Sequence, residues 1–211
     1  RSSAASDVYK RQTYLSNMIE CCSILIIPMA MVFAFGFYVN RKRLGCSIYG
    51  VMLVAFLIGV CINVSQEMGG NPRIDAMGIA QDDGAMEGKE VRLGAGATGL
   101  WSVVTTVTSN GSVNGMHDST MPLSGMIEML NMQINTWFGG VGVGWMNYFT
   151  FIIIAVFISG LMVGRTPEFM CHKVEAKEMK IASIVALLHP FVILVGTALA
   201  AYLYVHAPAF V

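Results

Sequence analysis

The chain has 211 residues, of which 55% are hydrophobic and only 12% charged, and its mean hydropathy is +0.62. Soluble domains carry about 25% charged residues, so the composition indicates an integral membrane protein. The formal net charge is zero, so we expect no nucleic-acid partner. The five cysteines show no metal-ligand spacing, and we interpret them as reduced, small hydrophobic residues.

The N-terminal part of the chain contains two predicted membrane spans. Residues 1–12 are polar, lack the features of a signal peptide, and are interpreted as a non-native scar. The apolar runs 18–39 and 46–64 each have the length of a span, about 20 residues. Pro28 is expected to kink the first span, and a basic run at 40–43 ends it.

A polar loop, 65–94, precedes an apolar stretch, 95–107, that is too short to span a membrane. This stretch continues into a run rich in hydroxyl groups, Thr105-Thr106-Val107-Thr108-Ser109-Asn110-Gly111-Ser112-Val113-Asn114. Irregular backbone lies at membrane depth only where it is buried in protein or lines a water-filled cavity. The run is therefore either a polar surface loop or a pore loop whose carbonyls replace the water shell of an ion.

The candidate ion filter consists of Thr108, Ser109, Asn110, Gly111 and Ser112. Gly111 allows a positive φ that turns backbone carbonyls inward. The run contains no carboxylate, whereas small divalent cations usually bind carboxylates. Carbonyl dipoles alone suit a large, weakly hydrated monovalent cation, so potassium is the expected ion.

The apolar region 123–164 is about twice the length of one span and is interrupted by Phe138-Gly139-Gly140-Val141-Gly142-Val143-Gly144. Because clustered glycines destabilise a helix, we predict two half-helices joined by a glycine linker. A dinucleotide-binding loop is excluded, since that motif follows a β-strand. We predict that this linker is a gate below the filter, formed by Gly139, Gly140, Gly142 and Gly144. The alternative is a surface of small residues for helix packing.

Three polar features remain. His117-Asp118-Ser119 cannot form a catalytic triad, because three successive residues do not converge on one atom; Asp118 or Ser119 is expected to cap the next helix. Glu128 lies in the first half-helix, and intramembrane acids are functional candidates. Arg165 either sets the orientation of its helix or helps to close the pore or dock a partner.

Charges in the loops predict the orientation of the chain. The loops 40–45 and 165–180 are basic, whereas loop 65–94 has three basic against six acidic residues. The first two loops are therefore expected to be cytoplasmic and the third external. A last span is predicted at 179–205, and a pore loop that enters and leaves externally completes the topology.

Several longer motifs are similar to those of the potassium-binding A subunits of bacterial Kdp potassium-transporting ATPases, and the chain resembles that family from about 13 to about 201. The matching stretches are Met86-Glu87-Gly88-Lys89-Glu90, Thr105 to Asn114 with Met116-His117-Asp118-Ser119, Phe138 to Gly142, and Gly160-Leu161-Met162-Val163-Gly164-Arg165-Thr166-Pro167-Glu168. The family often has an acidic residue shortly before Phe-Gly-Gly, where this chain has Ile134-Asn135-Thr136-Trp137.

The resemblance implies an all-α polytopic membrane protein built from helix–pore loop–helix repeats, similar to the Trk/Ktr transporters, with one helix broken by a glycine-rich loop. This chain would be a central fragment. Residues 13–45 would hold the last helix of one repeat and a cytoplasmic loop, 46–165 a complete repeat, and 166–211 a loop and the first helix of the next repeat.

The same resemblance implies a potassium-binding and translocating subunit of an ATP-driven uptake complex in the bacterial inner membrane. The implied partners are a P-type ATPase catalytic subunit, an accessory C-type subunit, a small membrane subunit and the lipid bilayer. The chain shows no ATP-hydrolysing motif, so we expect no catalytic residues and no cofactor, only potassium as the transported ion. The alternative is a Trk/Ktr-like channel or transporter without an ATPase partner.

Overall fold

The computed structural model describes residues 13–140, 143–170 and 172–206, and this part of the chain is mostly helical. Its α-helices are α1 (Tyr14–Tyr38), α2 (Lys42–Met68), α3 (Pro72–Asp75), α4 (Gly94–Thr108), α5 (Pro122–Ile134), α6 (Val143–Val163) and α7 (Ala176–His206). A short 3-10 turn spans His117–Ser119, and strands β1 (Glu168–Phe169) and β2 (His172–Lys173) pair antiparallel.

Four helical segments in the described residues are long and apolar enough to cross a membrane: Tyr14–Tyr38, Lys42–Asp75, Val143–Val163 and Ala176–His206. The prediction of a polytopic membrane protein is therefore confirmed. The predicted break in region 123–164 is also present, because α5 ends at Ile134 and α6 begins at Val143. The description of two half-helices is wrong for α6, whose 21 residues extend about 31 Å and match a bilayer core.

The described residues up to Trp145 form the first of two compact units, and α4 lies at its centre. α4 contacts α1, α2 and α5, and its residues from Trp101 to Thr108 are all buried. Small residues at the start of α4 permit this close approach. A Cβ atom on Gly99 would lie 3.2 Å from Asn63 Oδ1 and 3.3 Å from Glu67 Cγ of α2, so the two helices are in backbone-to-side-chain contact there.

The second unit, which comprises the described residues from Met146 onward, contains most of α6, the β-hairpin and α7. Phe149 packs against Phe169 of the hairpin with ring centroids 5.3 Å apart, and Pro167 packs against Gly160. The apolar stretches of α6 and α7 that are long enough to cross a membrane contain no buried residue in the described structure. Exposed apolar surface of this extent is suited to lipid or to further protein.

Candidate ion-binding site

The candidate filter begins where α4 ends, and the chain then returns to the level at which α4 started. Gly115 forms a β-bridge with Lys89, and the Met116 amide donates to the Gly88 carbonyl at 2.9 Å. The 15 residues of α4 rise about 22 Å. The six residues 110–115 can cover at most about 20 Å in the opposite direction, which is enough to return the chain along most of α4.

Two hydrogen bonds fix the returning limb. The indole Nε1 of Trp101, at the middle of α4, donates to the Ser112 carbonyl at 3.1 Å. Asn114 Nδ2 donates to Asn17 Oδ1 of α1 at 3.0 Å, and both asparagines are about 1% exposed. The limb is therefore held against α4 on one side and α1 on the other.

The turn between the two limbs contains two residues with a positive φ, of which only Gly111 was expected from the sequence. Ser109 caps α4 with φ +53°, and its amide and that of Asn110 both donate to the Thr105 carbonyl. Gly111 has φ +77°, which confirms the predicted positive φ, and a Cβ atom there would meet nothing within 4 Å. Glycine is required here by conformation and not by crowding.

The five predicted filter residues divide into two groups by the use of their carbonyls. The Thr108 carbonyl accepts from the Gly140 amide at 2.8 Å, and the Ser112 carbonyl accepts from Trp101. Within the described residues, no hydrogen bond uses the carbonyls of Ser109, Asn110 or Gly111, and these three residues are exposed. Their oxygens, at the negative end of the α4 dipole, favour a cation.

The turn opens onto a cavity of about 360 Å³. Its walls are formed by the base of the filter, the glycine segment and one face of α1; the residues are Thr108, Ser109, Asn110, Gly140, Ser23, Ile24, Ile27 and Pro28. A hydrated monovalent cation fits a space of this size. Ser109 and Asn110 therefore border a volume that water and ions can occupy.

A row of polar side chains joins α4 to α5, which run in the same direction. Asn131 Nδ2 donates to Thr106 Oγ1 at 3.4 Å, and one turn further on Ser109 Oγ donates to Asn135 Oδ1 at 2.9 Å. At the other end of the row, Glu128 is about 6% exposed. We call this row, which comprises Ser102, Thr106, Ser109, Glu128, Asn131 and Asn135, the polar seam.

Glu128 is held in the seam by a residue of α2. Asn63 Nδ2 donates to Ser102 Oγ at 3.2 Å and lies 3.5 Å from Glu128 Oε1. Glu128 was a candidate from the sequence, whereas Asn63, Asn131 and Asn135 were not. The spacing of residues 128, 131 and 135, which places them on one helical face, is the signal that would have found the last two.

The glycine segment lies directly beneath the end of α4. Gly144 donates to the Gly139 carbonyl at 2.6 Å, and a Cβ on Gly139 would lie 3.0 Å from the Asn135 carbonyl. Gly140 has φ +43°. Gly142 lies outside the described residues. Gly139 and Gly144 thus pack against the backbone of their own segment, whereas Gly140 contacts Thr108 of α4. The role of these glycines as a gate stays a prediction.

The prediction that Asp118 or Ser119 caps α5 is wrong. His117–Ser119 forms a 3-10 turn, Met121 is the cap residue of α5, and its side chain makes no capping hydrogen bond to the start of the helix. The helix begins at Pro122, one residue before the predicted apolar region, and proline needs no amide partner at this first position. The Met121 amide instead donates to Glu67 Oε1 of α2 at 2.9 Å.

Glu67 also forms a buried ion pair that was not predicted from the sequence. Lys89 Nζ lies 2.7 Å from Glu67 Oε2, and both side chains are fully buried. The same ammonium group donates to the Ala85 carbonyl at 2.6 Å. The pair joins the end of α2 to the loop before α4 and, through Met121, to the start of α5.

Arg165, the predicted gate or docking residue, lies in the second unit just after α6. Its amide donates to the Gly160 carbonyl at 3.1 Å, and its side chain is exposed. The geometry is that of a helix end with a positive φ at Gly164. Whether the side chain acts on a pore or a partner stays a prediction.

The family model described as KdpA, potassium-transporting ATPase A subunit, matches residues 2–210. This range includes all but the first of the residues 1–12 that we set aside as a scar. The chain is 84% identical over 207 residues to the potassium-transporting ATPase potassium-binding subunit of Phocaeicola vulgatus, covering 98% of this chain and 36% of that protein.

The subunits of the same name from Bacteroides thetaiotaomicron and Flavobacterium johnsoniae are 81% and 57% identical, covering 98% and 93% of this chain. They are matched over 36% and 34% of their own length, respectively. The chain therefore spans about a third of the length of the curated relatives it matches.

Proposed function

Because the chain belongs to the family of potassium-transporting ATPase A subunits, we propose that it is the part of a potassium-binding subunit that selects potassium for ATP-driven uptake. The observation that carries the proposal is the turn after α4, where the carbonyls of Ser109, Asn110 and Gly111 accept no hydrogen bond within the described residues, and where Ser109 and Asn110 line a cavity. Carbonyl oxygens of this kind replace the hydration shell of a potassium ion in a filter.

In this proposal α4 and the returning limb form a re-entrant pore loop. Ser109, Asn110 and Gly111 bind the ion directly through their carbonyls, while Thr108 and Ser112 hold the segment in place through their bonds to Gly140 and Trp101. One such segment presents oxygens on one side of an ion. Three further segments, from other parts of the subunit, complete the filter.

The proposed topology is that of a multi-pass protein of the bacterial inner membrane. Loop 65–94 is external and loops 40–45 and 165–180 are cytoplasmic, as their charges indicate. Residues 46–165 form one complete repeat, preceded by the end of a repeat at 13–45 and followed by the start of another at 166–211. The return of the limb to Lys89 supports entry and exit on the same side.

The glycine segment is proposed as a gate beneath the filter, formed by Gly139, Gly140, Gly142 and Gly144. The bond from the Gly140 amide to Thr108 supports this position for the described glycines. Arg165 is proposed to act at the cytoplasmic end, in closing the pore or docking a partner.

The proposed partners are a P-type ATPase catalytic subunit, an accessory C-type subunit and a small membrane subunit, with potassium as the transported ion and no cofactor in this chain. The names of the relatives as potassium-transporting ATPase subunits favour this reading over a Trk/Ktr-like transporter without an ATPase partner.

Potassium-stimulated ATP hydrolysis tests the proposal. The full-length parent, purified with the products of its neighbouring genes, should hydrolyse ATP faster with potassium than with an equal concentration of sodium. Proteoliposomes containing the parent alone provide the control. Potassium flux without ATP, together with no co-purifying ATPase, would favour the Trk/Ktr-like reading instead.

Replacing Trp101 with Phe is expected to raise the potassium concentration for half-maximal ATP hydrolysis about fivefold, which corresponds to about one net hydrogen bond. The ring volume is largely kept, but the bond that holds the Ser112 carbonyl is lost. Potassium titrations of wild type and variant measure the change.

Trp145→Phe is the matched control, because the buried Trp145 Nε1 has no hydrogen-bond partner within the described residues. This variant should leave the half-maximal concentration within about twofold of wild type. An equal shift in both variants would contradict a specific role for the bond to Ser112.

A further inference from the structure

The ends of α4 and α5 meet beneath the filter. Both helices end in a non-glycine residue with a left-handed backbone, Ser109 at φ +53° and Asn135 at φ +43°. Each of these residues donates its amide to the carbonyl four positions earlier, Thr105 and Asn131. Because the helices are parallel, their negative ends lie at the same level.

Two hydrogen bonds join these ends. Ser109 Oγ donates to Asn135 Oδ1 at 2.9 Å, and the Gly140 amide donates to the Thr108 carbonyl at 2.8 Å. We call this pair of bonds the latch. It connects the first residues of the filter to both ends of the segment between Asn135 and Gly140.

The latch leaves the glycine segment little freedom to move alone. A Cβ on Gly139 would collide with Asn135 Oδ1 and would lie 3.0 Å from the Asn135 carbonyl. Gly140 is in the left-handed region. A displacement of Gly139 or Gly140 therefore displaces Asn135 or releases Thr108, and either change reaches the residues that present the filter carbonyls.

We propose that Asn135 is a positioning residue that links the filter to Gly139 and Gly140, so that movement of these two glycines changes potassium binding. This inference rests on the proposed function. Asn135 does not touch the ion; it acts through Ser109, whose own carbonyl is one of the three open oxygens. Its contact with Gly139 transmits the conformation of the segment to that oxygen.

A cap that merely stabilises α5 would behave differently. Loss of a helix cap lowers the amount of folded protein and with it the maximal rate, but it leaves the ion-binding constants of the surviving protein unchanged. The proposal instead predicts a change in the half-maximal potassium concentration and in the ratio of rubidium to potassium stimulation.

A double-mutant cycle in the full-length complex tests the latch. Ser109→Ala removes the donor, and Asn135→Gly removes the acceptor while keeping a residue that tolerates the left-handed backbone. Each is expected to raise the half-maximal potassium concentration for ATP hydrolysis about fivefold. The double variant should show the same shift as Asn135→Gly alone and not the product of the two single shifts, because Ser109→Ala removes a bond that Asn135→Gly has already removed.

Ser124→Ala is the control, since Ser124 is a fully buried residue of the same helix, lies outside the polar seam, and has no hydrogen-bond partner for its hydroxyl within the described residues. It should keep the half-maximal concentration within about twofold. An equal shift in this control, additive effects in the cycle, or no shift in either single variant would overturn the proposal.

The outcomes separate the latch from the proposed function. A wild-type complex without potassium-stimulated hydrolysis means that the proposed function has failed, whereas a stimulated wild type with an additive cycle means that the latch alone has failed. If the Asn135→Gly complex does not assemble, the half-maximal potassium concentration of Ser109→Ala alone tests the latch. Ser109 is exposed, so losing its hydroxyl should not unfold the chain, and an unchanged half-maximal concentration overturns the latch.

Discussion

Replacing Gly111 with Asp is expected to raise the potassium concentration for half-maximal ATP hydrolysis about 100-fold and to weaken discrimination against sodium. Gly111 has φ +77°, a conformation that costs an L-residue about 1–2 kcal/mol. The backbone is expected to relax and turn its carbonyls away from the ion. The added carboxylate also favours smaller, harder cations over potassium.

Potassium and sodium titrations of the full-length complex measure this effect, and Gly78→Asp is a closely matched control. Gly78 has φ +79°, and a Cβ there also meets nothing within 4 Å. It lies in the loop between α3 and α4, away from the filter. Both variants introduce the same charge and the same backbone strain.

Gly78→Asp should therefore change the half-maximal potassium concentration by less than about twofold. Gly111→Ala, which adds the Cβ without the charge, should lie between wild type and Gly111→Asp. If the two aspartate variants shift potassium affinity equally, the assignment of the filter is wrong.

The long helices could be predicted because each is an apolar run of span length bounded by charges or glycines. The break before α6 followed from the clustered glycines between Phe138 and Gly144. α6 was nevertheless predicted as half of one span, because an apolar run of double length does not show where one helix ends. The left-handed cap at Asn135 ends α5 early and leaves α6 long enough to span by itself.

The end of α2 could not be predicted from the pattern of apolar residues. The predicted span ended at Val64, where polar residues begin, so Glu67 was counted as a loop charge. α2 in fact continues to Met68, because the Glu67 carboxylate is neutralised by Lys89, 22 positions further along the chain. A long-range ion pair of this kind leaves no local signal in a single sequence.

The polar seam could not be predicted for a related reason. Asn63, Asn131 and Asn135 each lie in or beside segments that are apolar overall, and a single polar residue does not change the assignment of such a segment as a helix. They become candidates for a role only through the side chains that they contact on neighbouring helices. Such contacts between helices cannot be inferred from a single sequence. The turn of the filter could be predicted, by contrast, because its hydroxyl groups and Gly111 are contiguous in the sequence.

Replacing Lys89 with Met is expected to destabilise the subunit by about 3–5 kcal/mol, because it leaves the Glu67 carboxylate buried without its counter-ion. Both side chains are fully buried in the ion pair. Glu67 also accepts from the Met121 amide, so its displacement would move the start of α5. The fraction of complex that stays monodisperse after stepwise heating measures the loss.

Arg92→Met is the control, since Arg92 pairs with Glu90 at 2.9 Å on the surface, where its side chain is 53% exposed. An exposed pair contributes about 0–1 kcal/mol, so this variant should melt close to wild type. Similar melting of the Lys89 and Arg92 variants would show that the buried pair does not support the fold.

The double variant Glu67→Gln with Lys89→Met separates the effect of charge from that of shape. It removes both charges together, and glutamine retains an oxygen that can accept from the Met121 amide. Replacement of a buried pair by neutral groups of similar volume is often tolerated, so the double variant should recover most of the stability lost in Lys89→Met. A double variant no more stable than Lys89→Met would mean that the ammonium group is needed for its bond to Ala85 and not for neutralising Glu67.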